Sequence, residues 1–210
     1  MAGIRVVSRD YTILKEVERW RIITGKQIGK IAGFSSQRAC DKRLAKLQKI
    51  DLLEREKILY GLPGFYHLTP KGKALLGIRN RKESIRIDQI HHDMTVLDTA
   101  IFFHYRYDIP YENMVSEKEL HKKDGFGNRR HCPDFIFTKD ERNYCVEIEL
   151  SLKSKARFEK NVVDNFKNYE RQFWIIPDLH SKIYQFLKEM NSKYPNIKVL
   201  ERTEIQIDEY

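Results

Sequence analysis

The spacing of apolar residues in the first fifty positions constrains this segment to a small helical unit. A first helix is predicted from Asp10 to about Arg19, because its apolar residues recur on one helix face. Thr24 opens a second helix, and Gln27, three residues later, completes a capping box. Gly33 then ends that helix, as a sharp helix-to-helix turn requires.

A third helix, beginning at Ser35, has the composition of a DNA recognition helix. Its apolar residues share one side and its basic residues share another. Short polar side chains at its start could reach base edges, while the basic flank could meet phosphates. The predicted DNA-contacting residues, including one lysine beyond the helix, are Ser36, Gln37, Arg38, Lys42, Arg43, Lys46 and Lys57.

A β-hairpin is predicted after the third helix. Its strands are Leu53–Leu59 and Phe65–Leu68, joined by a turn-forming Tyr-Gly-Leu-Pro-Gly segment. Thr69 and Pro70 then begin a helix that runs through Leu76. The segment YHLTPKGKALLG resembles the end of many winged-helix DNA-binding domains. This resemblance implies a winged helix-turn-helix domain over residues 1–78, a fold that in other proteins also serves as a protein-interaction module.

The positive charge of the chain is concentrated in its first part. Residues 1–80 hold 17 Lys and Arg against 7 Asp and Glu, whereas residues 81–210 hold 22 against 23. The total of +9 therefore comes from the first eighty residues. Such a division favours a polyanionic partner, and DNA fits better than a membrane because no segment joins a basic face to an exposed apolar one.

The sequence indicates a cytoplasmic protein. No apolar run approaches the roughly 20 residues that span a bilayer, and the first residues lack a secretory apolar region. Cys40, Cys132 and Cys145 show no CxxC spacing, so free thiols are expected. A zinc site formed by His131 and the last two cysteines is disfavoured, because adjacent ligands on a turn suit tetrahedral coordination poorly.

A polar, charged linker is predicted at 79–86, followed by a second domain over 87–210. The order of elements in that domain predicts a mixed α/β (α+β) fold. The predicted elements are a helix Asp88–Tyr107, strands Met114–Leu120, Asp134–Thr138 and Tyr144–Leu150, a helix Lys155–Asn168, a strand Gln172–Ile176, a helix Leu179–Met190, and strands Ile197–Leu200 and Glu204–Ile207.

Acidic residues on two of these strands form the candidate catalytic cluster. Glu147, Glu149 and Ser151 alternate along one strand and therefore share a face. Asp134 opens the neighbouring strand and can lie across from them. Converging carboxylates repel one another unless a cation lies between them, although a merely solvated sheet face is the alternative.

The cation that suits oxygen ligands of this kind is Mg²⁺ or Mn²⁺. Such an ion could bind a scissile phosphate and activate a water molecule. Lys153 or Lys155 could orient that water or neutralise developing charge. The predicted metal ligands are Asp134, Glu147 and Glu149.

The second domain resembles the PD-(D/E)XK nuclease superfamily in its order of helix, three strands, helix and strand. Asp134 follows a proline, and the acidic pair lies on the next strand. Asn165-x-x-x-Tyr169 resembles the Gln-x-x-x-Tyr motif of some members, with Asn in place of Gln. The superfamily pattern expects a lysine two residues after the acidic residue, but Glu149 or Ser151 stands there.

Three segments carry a closer resemblance. HHDMTVLDTAI, RRHCPDFIF and VEIELSLKS, behind a winged helix, resemble the replication-relaxation proteins and the MobC/TraX-type plasmid relaxases, which are similar to restriction endonucleases. This resemblance implies nicking at a transfer origin. It also implies metal binding by Asp134 and by Glu147 or Glu149, with the displaced Lys153 as the basic catalytic partner.

Other residues are secondary candidates. Asp98 could be an auxiliary acid, and Tyr169 an auxiliary residue through its motif. Arg129, Arg130 and His131 could hold phosphate or form a solvated loop. No spacing singles out one of the eleven tyrosines for a covalent step.

Three functions remain open at the level of sequence. The first is a site-specific, Mg²⁺- or Mn²⁺-dependent DNA-nicking enzyme of a plasmid or other mobile element. The second is a DNA-binding replication or transfer accessory protein with a silent nuclease-like domain that serves docking or homodimer formation. The third is a transcriptional regulator with a ligand-sensing domain, against which the acidic pair argues because an effector pocket is mainly apolar.

Overall fold

The computed structural model describes residues 4–79, 85–124, 131–151 and 154–209. The chain divides into two compact units, Met1–Leu97 and Asp98–Tyr210, and the division falls within a long helix, α5 (Ile90–Tyr107). Helices and a five-stranded mixed sheet make the architecture α+β, which confirms the predicted class. No helix among the described residues combines the length and the apolar character needed to cross a membrane. Most of the predicted linker lies outside the described residues.

The first unit begins with the three predicted helices and ends with a hairpin and a short helix. The capping box of the second helix is present, because Thr24 Oγ1 accepts from the Gln27 N–H at 3.3 Å while Gln27 Oε1 accepts from the Thr24 N–H at 2.9 Å. Gly33 has a φ of 60°, the left-handed conformation that ends the helix. The elements are α1 (Ser8–Arg19), α2 (Gly25–Ile31), α3 (Gln37–Lys49), β1 (Leu53–Glu56), β2 (Phe65–Leu68) and α4 (Pro70–Leu75).

Three boundaries of the first unit differ from the prediction by two residues or more. The third helix begins at Gln37 rather than Ser35, because the Ser36 side chain accepts the Ala39 N–H and caps the helix. The first helix begins at Ser8, and Asp10 stabilises its start from inside the first turn by accepting the Val7 N–H at 2.7 Å. The first hairpin strand ends at Glu56, not Leu59, because its pairing with the second strand stops where Glu56 faces Phe65.

The core of the first unit lies between the apolar faces of the helices and the hairpin. Trp20 is buried, as predicted. Helix α4 passes so close to the backbone of Leu52 that it requires a glycine at position 72. A Cβ at Gly72 would lie 2.2 Å from the Leu52 carbonyl oxygen. The other buried apolar side chains of the three helices include Ile13, Leu14, Val17, Ile28, Cys40, Leu44 and Leu47.

The second unit is built on a sheet whose strands lie in the order β3-β4-β5-β6-β7. The first three strands pair antiparallel, and the last three pair parallel, as helical crossovers require. The strands are β3 (Met114–Ser116), β4 (Phe135–Lys139), β5 (Arg142–Ile148), β6 (Arg171–Ile176) and β7 (Ile197–Glu201), and the helices are α6 (Glu117–Asp124), α7 (Lys155–Asn168) and α8 (Lys182–Lys193).

Helices cover both faces of this sheet. On one face, Phe103 of α5 packs edge-on against Phe135 and Phe173, with ring centroids 6.0 and 5.0 Å apart. On the other, Trp174 packs against Phe158 of α7 at 4.6 Å. The end of β5 is therefore buried on both sides, which excludes a solvated face at its acidic residue, Glu147.

Two predicted strands are wrong in whole or in part. The segment Met114–Leu120 turns helical after Ser116, because Glu119 Oε2 accepts the Ser116 N–H at 2.9 Å and so caps α6. The segment Glu204–Ile207 is not a strand, since its ends belong to two 3₁₀ turns. The gap between the predicted strands Asp134–Thr138 and Tyr144–Leu150 contains a tight turn at Asp140 and Glu141, both with positive φ, which joins β4 to β5.

Candidate active site

Asp134 and Glu147 lie on neighbouring segments at the same end of the sheet. Asp134 immediately precedes β4, and Glu147 is the second-last residue of β5. The carboxylate of Asp134 reaches across to β5, where its Oδ2 accepts the Ile148 N–H at 2.7 Å. The Asp134 carbonyl accepts the Glu117 N–H at 2.9 Å, which fixes the same segment on its other side.

Glu147 is a buried carboxylate held by two nitrogen atoms. Its residue is 7% exposed. Its Oε1 accepts a hydrogen bond from Asn165 Nδ2 of α7 at 2.8 Å. The same oxygen lies 2.5 Å from His131 Nε2. Side chains from β5, α7 and the segment before β4 thus meet at one oxygen atom.

Burial and the neighbouring charges shift the pKa values of both His131 and Glu147. Burial raises the pKa of Glu147 above its ordinary value, and the nearby Asp134 charge adds to the rise, although His131 and Asn165 oppose it. Burial on its own would lower the pKa of His131, but the Glu147 hydrogen bond and charge outweigh it and raise that pKa. The charges of Asp134 and Asp164 act in the same direction.

The other predicted catalytic residues stand apart from this contact. Glu149 follows the end of β5, is partly exposed, and donates its backbone N–H to the Ile175 carbonyl at 2.9 Å. Lys153 lies outside the described residues. The alternative lysine, Lys155, places its ammonium 5.0 Å from the ring centre of Phe186 on α8.

The auxiliary residues contribute differently from what was expected. Within the Asn165-x-x-x-Tyr169 motif, it is Asn165 that reaches Glu147. Tyr169 ends α7 and is fixed through its backbone, with its N–H donating to the Asn165 carbonyl at 3.0 Å. Asp98 is half-buried on α5.

From the sequence, His131 is a candidate for holding phosphate with Arg129 and Arg130, which lie outside the described residues, for a solvated loop, or for the disfavoured zinc site, but not for a contact with Glu147. Its contact with Glu147 joins residues 16 positions apart. The only signal in the sequence was its position three residues before Asp134. A histidine in a connecting segment gives no indication of which strand it will face.

The donor chemistry of Asp134 and Glu147 fits a hard divalent cation. Within the described part of the chain, no three His, Cys, Asp or Glu side chains form a group able to hold a metal ion. Mg²⁺, however, is usually bound through one or two carboxylates together with waters and substrate phosphates. Two neighbouring carboxylates, one of them buried, are consistent with that mode of binding.

The disfavoured zinc set does not come together. Within the described residues, His131, Cys132 and Cys145 do not form a group of three side chains able to hold a metal ion. Cys145 is fully buried, and burial raises the pKa of its thiol well above the ordinary value. The Cys132 sulfur lies 3.7 Å from Nδ1 of a different histidine, His121.

The predicted DNA-binding helix presents its basic side to solvent. Arg38, Lys42 and Lys46 are all exposed on α3. At the start of the helix, Ser36 Oγ accepts the Ala39 N–H at 3.3 Å, and the exposed Gln37 side chain donates to Asp41 at 2.8 Å.

Arg43 and Lys57 differ from the rest of the predicted DNA-contacting set. Arg43 is partly buried and forms an ion pair with Asp10, whose side chain is fully buried; its Nε donates to Asp10 Oδ1 at 2.7 Å. Its guanidinium therefore serves the fold of the first unit. Lys57 lies in the hairpin loop, with its ammonium 5.6 Å from the ring centre of the exposed Tyr60.

Comparison with known proteins adds no family to these observations. No protein-family model matches the chain, and no curated protein matches it.

Proposed function

We propose that this chain is a DNA-binding protein whose second unit nicks DNA with Mg²⁺ or Mn²⁺, in the manner of a plasmid or mobile-element relaxase. The observation that carries the proposal is the meeting of Asp134 and Glu147 at one end of the sheet. Asn165, from the helix that follows, holds Glu147 in place. The resemblance to PD-(D/E)XK nucleases, in which Asp134 follows a proline and Glu147 lies on the next strand, supports the same proposal.

DNA binding is supported by the first unit. Its order of three helices, hairpin and helix is compatible with a winged helix, in which the third helix enters the major groove. Exposed Arg38, Lys42 and Lys46 would meet phosphates, and Gln37 at the helix start would reach base edges. Positions 1–80 hold 17 basic residues and 7 acidic residues, and this surplus of positive charge would attract a polyanion.

Strand cleavage would depend on the two carboxylates. Asp134 and Glu147 would hold the divalent cation, which when bound would supply a Lewis acid for a phosphate oxygen and a water of lowered pKa. Asp134 is held in place by the Ile148 N–H, and Glu147 by Asn165 and His131. This preorganisation limits the rearrangement needed when DNA arrives.

The test uses supercoiled plasmids with and without the DNA that flanks the coding sequence, incubated in Mg²⁺, in Mn²⁺ and in EDTA. The unmodified chain is compared with Asp134→Ala, Glu147→Gln and Glu149→Ala. We expect open circles that require the metal, the flanking DNA, Asp134 and Glu147. Comparison with Glu149→Ala shows whether the second glutamate is needed as well. Cutting that persists in the Asp134 and Glu147 variants would place the active site elsewhere.

A DNA-binding accessory protein without catalysis is the second candidate function. It is favoured by the engagement of buried Glu147 with His131 and Asn165, which already balances the carboxylate without a metal. The position two residues beyond Glu147, where a lysine is expected, holds Glu149. Site-specific DNA binding without relaxation of the plasmid in either metal would support this second function and exclude the first.

A further inference from the structure

We infer that His131 is a positioning residue for strand cleavage that orients Glu147. The inference rests on the proposed nicking function and adds a residue to it. His131 Nε2 lies 2.5 Å from Glu147 Oε1, within hydrogen-bonding distance of the carboxylate. A ring N–H donated to this oxygen fixes the direction in which the remaining lone pairs of Glu147 point.

Two described lysines of the second unit contact groups other than Glu147. The ammonium of Lys155 lies over the Phe186 ring. Lys139, on β4, donates to the Tyr107 carbonyl at 2.8 Å. The positions two residues beyond the acidic pair hold Glu149 and Ser151, which carry no basic group.

His131 and Asn165 hold the same oxygen atom but differ in exposure. Asn165 lies on α7 and is 1% exposed, so it belongs to the interior of the unit. The His131 side chain is 13% exposed to solvent. It is also three residues from Asp134, whose carboxylate is the other half of the pair.

This difference separates the two roles. Asn165 holds Glu147 from the interior of the unit, whereas the His131 side chain that contacts the same oxygen is partly exposed. Removing a hydrogen-bond partner of a metal-binding carboxylate typically lowers metal affinity or activity by about 10-fold to 100-fold.

The experiment measures nicking of supercoiled plasmid by the full chain in Mn²⁺, recording the maximal rate and the half-saturating protein concentration. The variants are His131→Ala, His131→Gln, which keeps an N–H donor, and His121→Gln as a matched control. His121 is on α6 and contacts Glu117 at 3.4 Å. Binding of Mn²⁺ alone to each variant is measured by electron paramagnetic resonance, and thermal melting establishes that each variant is folded.

We expect the maximal rate to fall about 10-fold to 100-fold in His131→Ala, with the half-saturating concentration changed less than threefold. His131→Gln should recover most of that loss, and His121→Gln should match the unmodified chain. Mn²⁺ affinity should stay within about threefold in every variant, because His131 acts on Glu147 and is not a ligand.

Three results would overturn the inference. His131→Ala that nicks within threefold of the unmodified rate shows that the histidine is not needed. Parallel loss of Mn²⁺ binding and nicking in both His131 variants makes the histidine a metal ligand instead. If the unmodified chain itself does not nick, the proposed function fails and the inference falls with it, an outcome distinct from the first two. Should His131→Ala fail to fold, the rate and Mn²⁺ affinity of His131→Gln decide between these outcomes.

Discussion

At the residue scale, the structure separates the basic residues that are exposed on α3 from one that stabilises the fold. Arg43 was predicted to contact DNA from its position on the basic side of α3. Its guanidinium instead pairs with Asp10, and one of its nitrogen atoms also donates to the Arg5 carbonyl at 2.9 Å. Sequence periodicity places a residue on a helix face, but it cannot show that an acidic partner 33 positions away will be buried beside it.

Replacing Arg43 with alanine should destabilise the protein by about 3 kcal/mol, because it leaves the fully buried Asp10 carboxylate without its ion-pair partner. Lys42→Ala, at the exposed neighbouring position, should change the free energy of unfolding by less than about 0.5 kcal/mol. Urea unfolding followed by circular dichroism measures both. Equal stability of the two variants would show that the Asp10–Arg43 pair does not support the fold.

The three cysteines should differ sharply in reactivity. Burial raises the pKa of the Cys40 thiol to about 12 and that of Cys145 well above its ordinary value, so neither forms a thiolate near neutral pH. Cys132 is partly exposed. Ellman's reagent should therefore modify one thiol of the native protein quickly at pH 8, and none in Cys132→Ser. Rapid modification of more than one thiol in the native protein would contradict this burial.

At the element scale, local signals predicted the first unit well. The capping pair Thr24–Gln27 and the left-handed Gly33 act between neighbouring residues, so the sequence alone is enough to place them. The strand predicted from Met114 to Leu120 is shorter than expected, because a second local signal begins a helix after Ser116. Ser116 and Glu119 form a capping box, and this box converts the strand into α6 after three residues.

The crossing of α4 provides a test at this scale. Gly72→Ala should destabilise the protein by about 1–3 kcal/mol, because its Cβ would lie 2.2 Å from the Leu52 carbonyl oxygen and the backbone would have to move. Gly25→Ala is the matched control, since its Cβ would meet neighbours at ordinary distances of 3.5 Å or more. Thermal melting of both variants checks the prediction. A Gly72 variant as stable as the Gly25 variant would mean that α4 is not held at this distance.

The candidate site was only partly predictable, because some of its contacts join segments that are distant in the sequence. Strand alternation and a shared sheet end were enough to bring Asp134 and Glu147 together in the prediction. Burial of Glu147 depends on α7 covering its face, and its contact with His131 depends on the path of a connecting segment. Neither follows from a local pattern, so the histidine was assigned to a loop and the basic role to Lys153.

At the scale of the whole molecule, charge and chemistry are divided between the two parts of the chain. Residues 1–80 hold 17 basic against 7 acidic side chains, and the exposed basic residues of α3 belong to this part. The acidic pair and its nitrogen donors all belong to the second unit, Asp98–Tyr210. Under the proposed function, the first unit would select the site and the second unit would cleave the strand.

Primer-extension mapping of the nick tests whether this protein cleaves one strand at one site. A plasmid carrying the DNA that flanks the coding sequence is incubated with the chain and Mg²⁺, and both strands are read for a stop. We predict one stop, on one strand, which disappears in EDTA and in Glu147→Gln, the isosteric variant that keeps the shape of the buried side chain. Scattered stops on both strands, or a stop that survives in Glu147→Gln, would contradict it.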